Sequence, residues 1–221
     1  MEALRDILEG MITPRRMERL LGVLGARLGA LRVVVENLKH PHNVNAVLRT
    51  CEALGVQHVH LVDPGREFYI HRRIAKGSHK WLTLHRHGAF APCAAELHAA
   101  GFRLYAAMPS AGATPVDRID VGDPVALVFG NESEGVSPEA RDICDGCYVV
   151  PMTGFVESFN VSVAAAISIY DVANRMRRER PDKGLLSPVE SAEILKVWIP
   201  KATPHAKRIE AILRRKSARQ P

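Results

Sequence analysis

Three stretches of this sequence set polar side chains of catalytic type beside glycines and apolar runs, each where a strand would give way to a helix. The first, Glu36 to Thr50, carries Asn43 and Arg49. Asn43 suits a helix N-cap. At about 100° of turn per residue, Arg49 falls away from the face of Val44, Leu48 and Cys51, beside Asn45 one turn earlier. It is there either a solvated cation or a site residue, because helix starts at sheet edges hold function. The second stretch, Gly130 to Gly135, follows the apolar run Val125–Phe129 and includes Glu132 and Glu134. Its glycines allow positive φ and close backbone approach to a ligand. It has neither a dinucleotide fingerprint nor a P-loop. Its two carboxylates oppose a phosphate and suit a cationic or hydroxyl-bearing ligand, although a plain turn would use the same residues. The third stretch, Val149 to Ala166, supplies Val150, Met152, Phe155 and Phe159 as apolar lining, with Asn160 as an N-cap. A small cofactor with apolar and polar parts fits such a loop.

Regular elements have to hold these loops. Apolar, β-branched runs recur at Leu31–Asn37, His58–Asp63, Trp81–His87, Phe102–Met108, Val125–Gly130 and Cys147–Met152. Helical patterns lie between several of them: Asn43–Leu54 closed by Gly55, Pro92–Ala100 closed by Gly101, a short helix from Ser137-Pro138, and a long one over Asn160–Arg178. Strands alternating with helices, and reading as continuous apolar runs, predict an α/β domain: a mainly parallel sheet with helices on both faces. In such sheets ligands bind at the carboxyl edge, where all three stretches fall. Ala164–Ala166 allows close packing, in the core or across an interface. Both ends read as helix, with Thr13-Pro14 and Ser187-Pro188 as starts, Glu190 completing a capping box, and Pro200 as a stop.

With 221 residues, 47% of them hydrophobic, the chain is long enough for one domain with a full core. The apolar run Val161–Ile167 is too short to cross a bilayer. No signal-peptide pattern opens the sequence, so a cytoplasmic protein without a membrane partner is the expectation. The net charge of +6 gathers at Arg15, Arg16, Arg19 and Arg27, at Arg175, Arg177, Arg178 and Arg180, and at Lys201, Lys207, Arg208, Arg214, Arg215, Lys216 and Arg219. These are solvated helix faces or a footprint for a polyanion, and their segregation favours nucleic acid. Cys51 and Cys93 read as small buried hydrophobes. Cys144 and Cys147 form one C-x-x-C without a second pair, so no metal is expected there. In the pairs His40/His42, His58/His60 and His85/His87 alternation mostly points both side chains to one strand face; they are either a metal site or, the preferred reading, solvated or packed histidines.

Taken in order, the stretches read Pro-His-Asn-x-x-Ala-x-x-Arg-Thr from Pro41, Phe-Gly-Asn-Glu-x-x-Gly from Phe129, and Pro-Met-x-Gly-x-Val-x-Ser-x-Asn-Val-Ser-Val-Ala from Pro151. This series, spanning about Arg15 to Arg178, resembles the SpoU/TrmH family of RNA ribose 2′-O-methyltransferases, and Gly77-Ser78-His79-Lys80-Trp81 resembles a segment of its tRNA-modifying TrmH subgroup. The resemblance implies S-adenosylmethionine (SAM) as cofactor, tRNA as partner and the D-loop guanosine 18 as target. It also implies a C-terminal trefoil knot, which composition and periodicity do not reveal, and a homodimer in which the arginine reaches the partner's cofactor. By position it assigns catalysis to Arg49, Asn43, Glu132, Ser158 and Asn160, and cofactor contact to Ala107, Gly130, Val150, Met152 and Phe159. Residues 1–30 become a helical RNA-binding segment, 31–180 the methyltransferase domain and 181–221 a basic helical segment. Because a guanidinium stays protonated at neutral pH, Arg49 is expected to grip a phosphate and favour an alkoxide rather than act as base. The rivals are an rRNA 2′-O-methyltransferase of the same family, a non-catalytic RNA-binding module, and a nicotinamide oxidoreductase, the last disfavoured by the missing glycine fingerprint.

Overall fold

Strands rich in valine, isoleucine and leucine with no polar alternation have to be covered on both sides. In the computed structural model β1 (Leu28–Glu36) and β6 (Val125–Phe129) are largely of this kind, and β2 (Val56–Val62), although it carries Gln57, His58 and His60, is buried like them along its whole length. They belong to a seven-stranded sheet with β3 (Thr83–His87), β4 (Arg103–Ala107), β5 (Thr114–Pro115) and β7 (Gly146–Val149), in the order β3-β2-β1-β6-β4-β7-β5. Every strand pairing in it is parallel. The structure describes residues 8–63, 77–110, 112–203 and 206. The chain divides into two units, residues 28–185 and residues 1–27 with 186–221.

Within residues 28–185 the period of two sorts each strand's side chains between two cores. Val33, Val35, Leu127 and Phe129 face one layer, covered by α2 (Pro41–Ala53) and α5 (Val161–Glu179). Val34, Ala126 and Val128 face the other, covered by α3 (Phe90–Ala99) and α4 (Pro138–Ile143). The α/β expectation of helices on both faces of a parallel sheet holds. The caps follow the sequence in places: Ser137 Oγ accepts from the Ala140 N–H, and Asn160 Oδ1 from the Ser162 N–H.

Three local readings change. Helix α2 begins at Pro41, two residues before the expected cap, because proline at the first position is preset for helix and needs no donor. His40 is the N-cap residue and makes no side-chain cap bond, so the Asn43 side chain is free for other work. Asn45 does not share the exposed side with Arg49. It is buried, and its amide donates to the Pro41 carbonyl at 2.6 Å. The two-residue strand β5 had no signal in the sequence.

The other unit contains α1 (Pro14–Gly25) and α6 (Pro188–Ala202). Thr13 caps α1 and the Ser187–Glu190 box caps α6. Pro200 does not stop α6, which runs through it to Ala202. Arg27, counted among the basic residues, is buried with its guanidinium over the Trp198 ring at 5.2 Å. Arg15, Arg16 and Arg19 are exposed. Lys207, Arg208, Arg214, Arg215, Lys216 and Arg219 lie outside the described residues.

Candidate active site

Since the described strands of the sheet run the same way, the loops after β1, β4, β6 and β7 leave from one edge of it. The loop after β6 is shaped by its glycines. A Cβ on Gly130 would stand 2.2 Å from the Gly135 carbonyl carbon and 2.3 Å from the Val136 nitrogen, so only glycine fits, and Gly135 itself has φ +71°. Asn131 and Gly135 exchange two backbone hydrogen bonds, at 2.8 and 2.9 Å. The Asn131 side chain accepts from the Ser133 N–H and donates to the Asn37 carbonyl at the end of β1.

That turn presents Glu132 to the first stretch. Its carboxylate accepts from the Lys39 N–H at 3.0 Å, the His40 N–H at 3.2 Å and the Asn43 side-chain amide at 2.8 Å. Partial burial pushes this carboxyl's pKa up, but the Asn43 amide and the backbone donors of Glu132, Lys39 and His40 outweigh burial and hold it below the usual glutamate value. Lys39 Nζ pairs with Glu134 at 3.2 Å. From the third stretch, Asn160 Nδ2 donates to Asn43 Oδ1 at 3.4 Å, while Asn160 Oδ1 caps α5. One hydrogen-bonded series, Glu132–Asn43–Asn160, therefore ties together three segments far apart in sequence.

Beside it opens a cavity of about 560 Å³, a volume suited to a nucleoside-sized ligand. Ala107, Gly130, Val150, Met152 and Phe159 all line it, as do Glu132, Ser158 and Asn160. Sequence reasoning missed Met108, Pro109, Arg141 and Tyr148, which line it too. Met108 and Pro109 directly follow β4, so the sheet edge was a usable signal; Arg141, on the six-residue α4, had none. Two predicted site residues stand apart. Asn43 meets the site through Glu132 and Asn160 and is absent from the cavity wall, and Arg49 is exposed on α2 and does not line the cavity of its own chain. The segment Gly77–Trp81 forms a short 3₁₀ turn before β3, with Gly77 at φ +76° and Lys80 Nζ 4.7 Å from the Trp81 ring centroid.

The cavity can hold an amphipathic ligand: strand ends and Met152 give it apolar walls, and Gly130 brings bare backbone to its surface. Glu132, Glu134 and Glu157 make its rim negative apart from Arg141, which favours a cation over a phosphate. Residues 30–170 match the SpoU rRNA Methylase family. The chain belongs to this family. Among SpoU relatives, the tRNA (guanosine(18)-2′-O)-methyltransferase of Thermus thermophilus is 36% identical over 190 residues, covering 86% of this chain and 98% of that protein. The enzyme of the same name from Escherichia coli is 33% identical, covering 79% of this chain and 74% of that one. The crystal structure of the Aquifex aeolicus TrmH/SpoU tRNA modifying enzyme matches with a TM-score of 0.77 at 35% identity, covering 88% of this chain and 98% of that one. The SpoU methyltransferase AviRb of Streptomyces viridochromogenes, in complex with AdoMet, matches with a TM-score of 0.61 at 25% identity, covering 72% and 65%.

Proposed function

We propose that this SpoU-family chain transfers a methyl group from SAM to a ribose 2′-hydroxyl of tRNA, at the D-loop guanosine 18. One observation carries the reading: the five residues expected at the cofactor by position all line one cavity, with the Glu132–Asn43–Asn160 series at its side. The relatives named tRNA (guanosine(18)-2′-O)-methyltransferase set the substrate.

SAM, when bound, supplies a methyl group on a cationic sulfonium. The chain's part is to bind, orient and exclude water. Gly130 and the strand ends offer backbone hydrogen bonds and Met152 an apolar wall. Ser158, which lines the cavity, holds a ribose oxygen. Holding the hydroxyl in line with the methyl supplies on the order of 7–11 kcal/mol of the barrier. Glu132, kept ionised, fixes the backbone at Lys39 and His40 and the Asn43 amide before substrate arrives, so that no reorganisation is needed at the reaction. Arg49 grips a phosphate next to the reacting ribose and favours the alkoxide, with the proton leaving through that phosphate or water.

The active form is a homodimer in which Arg49 reaches the partner's cofactor, a reading that its place outside its own chain's cavity supports. The exposed apolar stripe Val163, Ile167 and Tyr170 on α5, with Phe155 and Val156 in the preceding loop, supports that assembly. The segment from Phe129 to Asn160 that builds the cavity is read as a trefoil knot. Residues 31–180 are the methyltransferase domain of a cytoplasmic enzyme, and 1–30 and 181–221 meet the RNA. The test is incubation with methyl-labelled SAM and either bulk tRNA or rRNA, followed by nucleoside analysis. Label in 2′-O-methylguanosine from tRNA supports the reading. Label confined to rRNA, or on bases, overturns it.

A further inference from the structure

Strand β2 is buried along its whole length, yet carries His58 and His60 where valine would pack as well. On the neighbouring strand β3, His85 stands directly across from His60 and His87 across from Val62, and the four imidazoles form a ladder. His58 Nδ1 lies 3.0 Å from His85 Nε2, and His60 Nδ1 lies 3.0 Å from His87 Nε2. Helix α3 covers this face and places the buried Cys93 and the exposed Glu96 over it. The ladder sits at the β3 end of the sheet, away from the cavity, which takes its walls from β4, β6 and β7. Two three-residue sets bring one ligand atom each to within 4.8 Å of one another: His60, His87 and Cys93, or His60, His85 and Glu96.

The ring geometry separates the two sets. His60 and His85 are stacked, 4.3 Å between centroids and 8° from parallel, so their in-plane lone pairs lie in separate planes and do not converge. His60 and His87 meet edge to edge, nitrogen to nitrogen at 3.0 Å, with centroids 5.3 Å apart and planes 15° from parallel, so a tilt of the two rings turns both in-plane lone pairs toward one ion beside the contact. Two nitrogens bound to zinc at tetrahedral angle are about 3.3 Å apart, given Zn–N bonds of about 2.0–2.1 Å. The 3.0 Å contact needs to open by only a few tenths of an ångström. Two imidazoles and a thiol form a borderline-soft donor set that suits zinc and does not suit magnesium or calcium.

We propose that His60, His87 and Cys93 form a structural site for a divalent transition metal of the zinc type, with a fourth position filled by water. Cys93 binds as thiolate and gives its proton to solvent. The proton between His60 and His87 moves to the far nitrogen of the ring that carries it. His85, stacked on His60, and Glu96 are outer partners. The ion fastens edge strand β3 and helix α3 to the sheet.

The test uses tag-free, full-length protein stripped by chelator and titrated with Zn²⁺, then with Co²⁺ as an optical probe. The site takes one ion per chain, and Co²⁺ gives a thiolate-to-metal charge-transfer band. Cys93→Ala removes the band, and both Cys93→Ala and His87→Ala weaken Zn²⁺ by more than the roughly 100-fold typical of losing an outer-shell partner. Cys144→Ala, in the C-x-x-C pair, changes neither. Far-ultraviolet circular dichroism of the stripped variants confirms that they are folded. Absence of stoichiometric binding, a Co²⁺ spectrum without the thiolate band, or binding lost in Cys144→Ala and kept in Cys93→Ala would overturn the proposal.

Discussion

Glu132 does its work through other residues. Its carboxylate fixes two backbone N–H groups and the Asn43 amide, and hydrogen bonds to a charged acceptor contribute more than neutral ones. Glu132→Gln is expected to lower stability by about 1–2 kcal/mol and to cut kcat/KM more than it raises the Kd for SAM, as chemical denaturation, steady-state kinetics and calorimetry would show. The pH dependence has a definite sign. Because the folded carboxyl titrates below the ordinary 4.5, its stabilisation is complete above that value and is lost as pH falls through the depressed one. The acid limb of the stability profile should therefore shrink in Glu132→Gln; an unchanged limb contradicts the role. Arg49→Ala should abolish turnover with SAM binding retained, and lost SAM binding with a normal residual rate would contradict its assignment. Glu132 stood out in the sequence as a carboxylate in a glycine-bounded loop after an apolar strand, whereas the role of Arg49 came from the family resemblance, since a helix arginine at a sheet edge reads equally as a solvated cation. The work of Asn43 was not legible, since a preset Pro41 moved the helix start and turned an apparent cap into a side-chain bridge.

Helix α5 is apolar on two opposite sides. Ala165, Ile169, Val172 and Met176 are buried in the sheet's core, whereas Val163, Ile167 and Tyr170 are exposed, Tyr170 to 62%. If that stripe is the dimer surface, Ile167→Glu with Tyr170→Glu should give monomers by sedimentation and no methyl transfer, with SAM binding still measurable. A dimer of normal activity would rule the surface out. Strands and helices were readable because burial on two faces leaves continuous apolar runs and because Ser, Thr and Pro mark helix starts. Two features were hidden. A strand as short as Thr114–Pro115 has no period to detect, and Pro200 sits near the end of α6, where losing one donor did not break the helix. The alternation that put four histidines on one face was visible, but their nitrogen-to-nitrogen pairing depends on the register His60↔His85, which no single-sequence pattern encodes.

At the scale of the whole molecule, the net charge of +6 is less available to RNA than its residue count suggests. Arg175 donates to the Ile119 and Val116 carbonyls at 2.6 and 2.8 Å and pairs with Asp171. Arg177 donates to the Leu54 carbonyl at 2.7 Å. These two tie loops to α5, and Arg27 packs on Trp198. Arg15, Arg16 and Arg19 remain exposed. Replacing all three by alanine should weaken tRNA binding and flatten its log–log salt dependence by up to about 0.7–0.9 per lost phosphate contact. An unchanged slope would show that this helix does not meet the backbone. The most direct measurement of the account as a whole compares two tRNA transcripts, one with guanosine and one with 2′-deoxyguanosine at position 18, offered to the protein with methyl-labelled SAM. The account predicts close to one methyl per molecule on the first and none on the second; equal labelling of both would contradict it.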